Sequence, residues 1–146
     1  MNREILFRGK PIDQEWWLEN YERFASLEDW ALGNLIISGK DYYIVGSLVE
    51  ADDEYLNHEW WVQVDPETVG QYTGLKDKNG VKIFEGDIMV FRTGTTGVVV
   101  YSRQRFIWQG YPEDPHNPMG YFSGKWQDDF EVIGDIHNNA ELLEVE

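Results

Sequence analysis

The chain has 146 residues, 42% of them apolar and 15% aromatic, which excludes a disordered composition and allows one ordinary domain or two small ones. It lacks cysteine, so disulfides, thiol nucleophiles and thiolate metal sites are excluded together. A formal charge of −15, from 27 acidic and 12 basic side chains, opposes contact with phosphate backbones.

That charge is uneven. Residues 1–73 carry 15 acidic and 5 basic side chains, and residues 74–146 carry 12 and 7. It reads as a solvated acidic surface, or as an acidic patch that imitates nucleic acid or meets a basic partner. No apolar run approaches ~18 residues, and no basic-then-apolar leader opens the sequence. The expectation is a soluble protein of the bacterial cytoplasm with no membrane contact.

In chain order, Glu4 to Arg8 alternates charged and apolar residues as a first strand would, and Gly9-Lys10-Pro11 ends it. Asp13 can cap a helix in which Glu15 and Glu19 sit where the macrodipole favours negative charge. Trp17, Tyr21 and Phe24 then recur at i, i+4, i+7, and Leu27 continues the stripe. The spacing predicts one amphipathic helix over 13–26, with Glu19 and Arg23 placed to pair.

From Trp30 the period shortens. Asn34 to Ile37 and Tyr42 to Val45 predict a hairpin across Ser38-Gly39-Lys40-Asp41. Glu50 to Glu54 is an acidic loop without the alternating ligands and glycine of a calcium loop. Glu59 to Val64 predicts another strand, with Trp61 on its buried face and Trp60 there too if the sheet allows it.

The stretch from Gln71 to Val90 organises the rest. Asn79-Gly80 tolerates the positive φ of a tight hairpin turn. Tyr72, Thr73 and Leu75 lead into it; Val81, Ile83 and Phe84 lead out. Glu85-Gly86-Asp87 makes a second turn into Ile88-Met89-Val90-Phe91. The prediction is strand, hairpin, strand, turn, strand.

This stretch resembles the signature of the YopX family, small proteins encoded mainly by bacteriophages and related mobile elements. The matching residues are Gln71, Tyr72, Thr73, Gly74, Leu75, Lys76, Asp77, Lys78, Asn79 and Gly80, then Ile83-Phe84 and Glu85-Gly86-Asp87-Ile88. Arg3 to Arg8, Val64 to Gly70 and Glu131 to Ile136 are also similar. The resemblance implies a phage or prophage origin, and it brings no established biochemical activity with it.

After Phe91, Thr93 to Gly97 forms a polar loop that lacks the Lys-Ser/Thr of a phosphate loop. Val98 to Tyr101 and Arg105 to Trp108 predict a hairpin across Ser102-Arg103-Gln104. A proline-rich loop follows from Tyr111 to Met119. Tyr121, Phe122 and Trp126 lie beyond it, and Phe130 to Ile136 predicts a last strand before a short closing helix or strand at 140–145. Gly33-Asn34-Leu35, Gly86-Asp87-Ile88 and Gly134-Asp135-Ile136 repeat a turn-into-strand pattern.

The catalytic inventory is thin. His58, His116 and His137 lack metal spacing, and no nucleophile elbow is present. Glu85 and Asp87 could serve as paired acids, but an Asp in such a turn more often bonds its own backbone. The motif residues Gln71, Tyr72, Thr73, Gly74, Asp77, Asn79, Gly80, Glu85, Gly86 and Asp87 therefore read as structural. No catalytic residue, metal site or cofactor is assigned.

The sequence thus predicts a mainly β protein with one N-terminal helix. Residues 1–70 would form a strand-and-helix region and 71–146 a small SH3-like barrel, or 1–146 one continuous domain. The functional expectation is a non-enzymatic interaction protein whose partner is a host or phage protein, or a second copy of itself. Trp108, Tyr111, Tyr121 and Trp126 supply the contact aromatics. Two alternatives stand beside it. One is a nucleic-acid role, as an acidic mimic or by binding through Arg103, Arg105 and Lys125, which the net charge disfavours. The other is an enzyme using carboxylate or histidine chemistry.

Overall fold

The structure is a computed structural model that describes residues 4–24, 26–46, 48–51, 56–58, 60–92, 94–102, 105–111 and 129–143, with the backbone alone at 48–51, 56–58, 102 and 105–111. Among the described residues, the protein is mainly β with one α-helix. The chain divides into two compact units, Glu4–Gln71 and Tyr72–Glu146.

In the first unit, β1 (Phe7–Gly9) pairs antiparallel with β2 (Ala31–Ser38), β2 with β3 (Asp41–Val45), and β3 with β6 (Trp61–Val64). The β2–β3 turn is two residues long, and Gly39 supplies the positive φ of 63° that it needs. This sheet curls until the chain leaving β1 meets its far edge. Pro11 bridges Val64, the Asp65 N–H donates to Lys10 O (2.9 Å), and the Ile12 N–H donates to Gln63 O (3.0 Å). Such closure removes much of the edge that an open sheet would expose. Between β3 and β6, β4 (Leu48–Ala51) and β5 (Leu56–His58) form a separate antiparallel pair.

Helix α1 (Gln14–Asn20) starts where Asp13 caps it, the Trp16 N–H donating to Asp13 Oδ1 at 3.1 Å. It is shorter than the sequence predicts, because the chain tightens into a 3-10 turn at Tyr21–Phe24. Arg23 donates to the Asn20 side chain (3.2 Å), a neighbour that this tightening brings into reach. Trp17 is buried at 2% exposure among Ala31, Ile44, Val62 and Val64, and Tyr21 and Phe24 pack on the same cluster. Leu27, expected to continue the stripe, is exposed because the chain has already left the helix.

Period-2 alternation sorts the sheet faces. Leu35, Ile44 and Val62 lie in register on the inner face. Trp60 joins that face, with ring centroids 5.2 Å from Phe24 and 6.4 Å from Trp17. Trp61 does not: it is 65% exposed and meets Tyr43 edge-on at 5.8 Å on the outer face. The expectation of a buried Trp61 is therefore corrected, since Val62 and Val64 take the inward positions of β6.

In the second unit, the later part of β7 (Gly70–Lys76) pairs with β8 (Lys82–Phe84). A four-stranded antiparallel sheet runs β11 (Arg105–Tyr111), β10 (Thr96–Ser102), β9 (Asp87–Phe91), β12 (Phe130–Asp135). Ile83, Met89, Val99 and Phe130 form its core, with Leu75, Phe91 and Val132 packed against them. Tyr111, expected to open the proline loop, instead ends β11 opposite Thr96. A 3-10 turn at Ala140–Leu143 follows β12. The rest of the proline-rich stretch, 112–119, lies outside the described residues. Among the described residues, no helix is long and apolar enough to cross a membrane.

Candidate functional site

The signature builds a clasp around Asp77. Turn residues Asp77 to Gly80 join β7 to β8, and Gly80 carries a φ of 81° that residues with a Cβ rarely adopt. Asp77 is 2% exposed, and its carboxylate accepts three backbone N–H groups: Asn79 at 2.8 Å and Val81 at 2.9 Å on Oδ1, and Val132 at 2.9 Å on Oδ2. The first two close the turn as an Asx motif. The third ties the turn to β12. The Lys78 N–H adds a bond to Phe130 O (3.1 Å), and Lys78 and Asn79 both reach the Glu131 side chain at 3.4 Å.

The other motif residues surround this clasp. Tyr72 is buried and packs on Phe84 with centroids 5.5 Å apart; Lys82 Nζ lies 5.4 Å from the centre of its ring. Between Tyr72 and Lys76 the register slips by two residues, a bulge in which Gly74 takes a φ of 90°. Thr73 fastens the bulge, its hydroxyl donating to Ile83 O (2.8 Å) and accepting the Leu75 N–H (3.2 Å). Gln71 pairs with Phe7 of β1 in the first unit.

Glu85 and Gly86 form the β8–β9 turn, with Gly86 at φ 92°. Asp87 is 2% exposed and Oδ2 accepts the Phe84 N–H at 2.7 Å, which closes that turn from within. Glu85 is partly exposed while Asp87 is buried with Oδ2 on a backbone N–H, so the two acids occupy different environments.

A buried carboxylate that the sequence did not single out as a site, Asp135, sits opposite Asp87 in the β9–β12 ladder. Its Oδ1 accepts the N–H groups of His137 (2.9 Å) and Asn138 (2.8 Å), and Oδ2 accepts Asn138 Nδ2 (3.0 Å). The two Gly-Asp-Ile segments thus lie antiparallel side by side, and the Ile136 N–H donates to Gly86 O at 2.9 Å. The signal was present in the repeated tripeptide; its meaning is a shared ladder, which needs the strand pairing to be seen. The third copy, Gly33-Asn34-Leu35, belongs to β2 of the first unit.

The aromatic residues expected to make contacts are placed less completely. Trp108 and Tyr111 stand on β11 opposite Val99 and Thr96. Tyr121 and Trp126 lie outside the described residues, as do Arg103 and Lys125, while Arg105 opens β11 opposite Ser102. His58 is on β5, His137 in the turn after β12, and His116 outside the described residues. Among the described residues, no three His, Cys, Asp or Glu side chains gather to hold a metal ion.

The first unit carries two neighbouring depressions, of about 200 and 390 Å³, that share Lys10, Pro11 and Gln14. Trp17, Leu18, Glu28 and Asp29 complete the smaller one; Ile12, Asp65 and Pro66 complete the larger.

The YopX protein family model matches residues 34–144, which spans the clasp, both turns and most of the chain. The chain belongs to the YopX family. No curated protein matches it. Among solved structures, this YopX chain is similar to protein EF1440 from Enterococcus faecalis, with a TM-score of 0.58 and 22% sequence identity over 98% of this chain and 100% of that one. At that identity the likeness carries the fold alone.

Proposed function

We propose that this YopX chain is a non-enzymatic protein-interaction module of phage or prophage origin, acting on a host or phage protein in the bacterial cytoplasm. The observation that carries the reading is the use made of the signature. Asp77 and Asp87, the buried acids of the motif, bind backbone N–H groups that close turns and join strands. Carboxylates held this way stabilise the fold and are poorly placed to exchange protons with a substrate. Among the described residues, the outer sheet face offers apolar and aromatic surface, with Trp61, Tyr43 and Ile36 on it. Aromatics in such positions anchor interfaces.

The same proposal extends to the second half of the chain. The meander β9–β10–β11, with β12 returning beside β9, supports an SH3-like barrel over 71–146 alongside a strand-and-helix region over 1–70. Trp108, Tyr111, Tyr121 and Trp126 would then add to the contact surface, and a second copy of the chain could occupy it.

Affinity capture from bacterial lysate, with and without nuclease and at two salt concentrations, tests the reading. A stoichiometric protein that survives nuclease and salt is the expected result. Nucleic acid alone, lost as salt rises, would replace this reading with a nucleic-acid role. Catalytic turnover abolished by Glu85→Gln or Asp87→Asn in a folded protein would replace it with an enzyme.

A further inference from the structure

The two neighbouring depressions share Lys10, Pro11 and Gln14, so they adjoin as one groove along the chain that closes the curled sheet. Two buried residues, Pro11 and Trp17, line it. Pro11 is buried and bridged to Val64, and Trp17 is buried with its indole Nε1 donating to Leu27 O at 3.1 Å. Its walls carry apolar side chains that the fold leaves in water: Ile12 is 56% exposed and Leu18 54%. Its ends are acidic, with the exposed Glu28 and Asp29 at one and the exposed Asp65 at the other. Asp65 Oδ1 accepts the Glu67 N–H at 3.1 Å, which fixes that carboxylate at the groove mouth.

The sequence of this unit is mostly of one sign. Residues 4–71 contain 15 acidic and 4 basic side chains, and one of the basic four, Arg8, is buried with its guanidinium 4.2 Å from the centre of the Trp30 ring. Lys10 lines the groove and lies 5.9 Å from the same ring, one cation among the three carboxylates. A trough with exposed apolar side chains along it and carboxylates towards its ends complements a chain that alternates apolar and basic residues. The aliphatic stems of lysine or arginine cover the walls while their charged heads meet the end carboxylates. A second copy of this chain is a poor occupant, because it brings −15 to a surface already acidic.

We infer that this groove docks an extended, basic segment of a partner protein. The inference rests on the interaction role proposed above and names the partner's chemistry. The probe is a short fluorescent peptide alternating lysine with leucine, titrated into the full-length protein beside a peptide with glutamate in place of lysine. Saturable binding of the basic peptide alone is expected. Glu28→Gln with Asp29→Asn should weaken it about fivefold and flatten its salt dependence, as loss of rim charges does. Leu18→Ser should weaken it about tenfold through faster dissociation. Glu141→Gln, an exposed acid in the other unit, should leave it unchanged. All four positions are exposed, so circular dichroism should report an intact fold.

Four outcomes would overturn the inference. One is no binding of the basic peptide. Another is equal loss on Glu141→Gln, which is attraction to net charge alone. The third is a wild-type dimer in sedimentation that Leu18→Ser dissolves, which assigns the groove to a second copy. A lysate partner kept by both groove variants would remove this groove and leave the interaction role standing. Groove-dependent peptide binding without any captured partner would support the groove and count against a protein of that lysate as its occupant.

Discussion

Asp77 Oδ2 accepts the Val132 N–H at 2.9 Å across 55 residues of sequence, which makes the signature turn the anchor of β12. With Asn79 and Val81 on its other oxygen, the buried carboxylate satisfies three backbone donors at once. Charge-assisted bonds of this kind contribute about 1.5–3 kcal/mol each when measured singly, and they are not additive.

Asp135 should govern the turn after β12. Replacing it with alanine frees the N–H groups of His137 and Asn138 and should cost about 1–3 kcal/mol. Amide hydrogen exchange would show faster exchange at those two residues first. Protection unchanged at both would refute this role.

Trp17 and Trp61 should behave as opposites. Trp17→Ala empties the centre of the first core and should cost about 3–5 kcal/mol in urea unfolding. Trp61→Thr removes an exposed ring and should fall within about 0.5 kcal/mol of the parent. A large cost at Trp61 would show that the outer face is already covered.

Gly33 should resist substitution. A Cβ there would sit 2.3 Å from the carbonyl oxygen of Val45 on the neighbouring strand, so the β2–β3 ladder must shift to admit it. Gly33→Ala should cost roughly 1–3 kcal/mol, as overpacking does. A thermal midpoint equal to that of the parent would contradict the close approach.

Tyr21 should titrate late. Partial burial and the carboxylates of Glu22 and Glu28 push its phenol above the ordinary value of 10.0. A raised acid contributes stability that is fully present below the ordinary value and is lost as pH rises through the folded one. Absorbance titration of the parent against Tyr21→Phe should isolate this late phenol, and Glu28→Gln should move it back down. Ionisation at or below the ordinary value would contradict the acidic field at this end of the helix.

Local chemistry made much of the fold legible. Asn79-Gly80, Glu85-Gly86-Asp87 and Asp13 announce turns and a cap because each acts within three or four residues of itself. Trp61 misleads by its bulk, which suggests burial, although Gln63 shares its parity and Val62 and Val64 hold the other face. The groove could not be read at all. It brings Lys10, Glu28 and Asp65 together through closure of the sheet, and no spacing in the chain encodes that meeting. The Asp87–Asp135 pairing was half-visible, as a repeated tripeptide whose copies only strand pairing could join.

Urea unfolding of Asp77→Ala beside Asp13→Ala tests most directly whether the YopX signature serves the fold. Asp13 is an exposed helix cap, whose loss should cost about 1 kcal/mol. Loss of Asp77 should cost about 3 kcal/mol or more, because it leaves three backbone donors without their acceptor. An Asp77→Ala protein as stable as its parent would contradict the account and return the signature to the search for a binding or catalytic role.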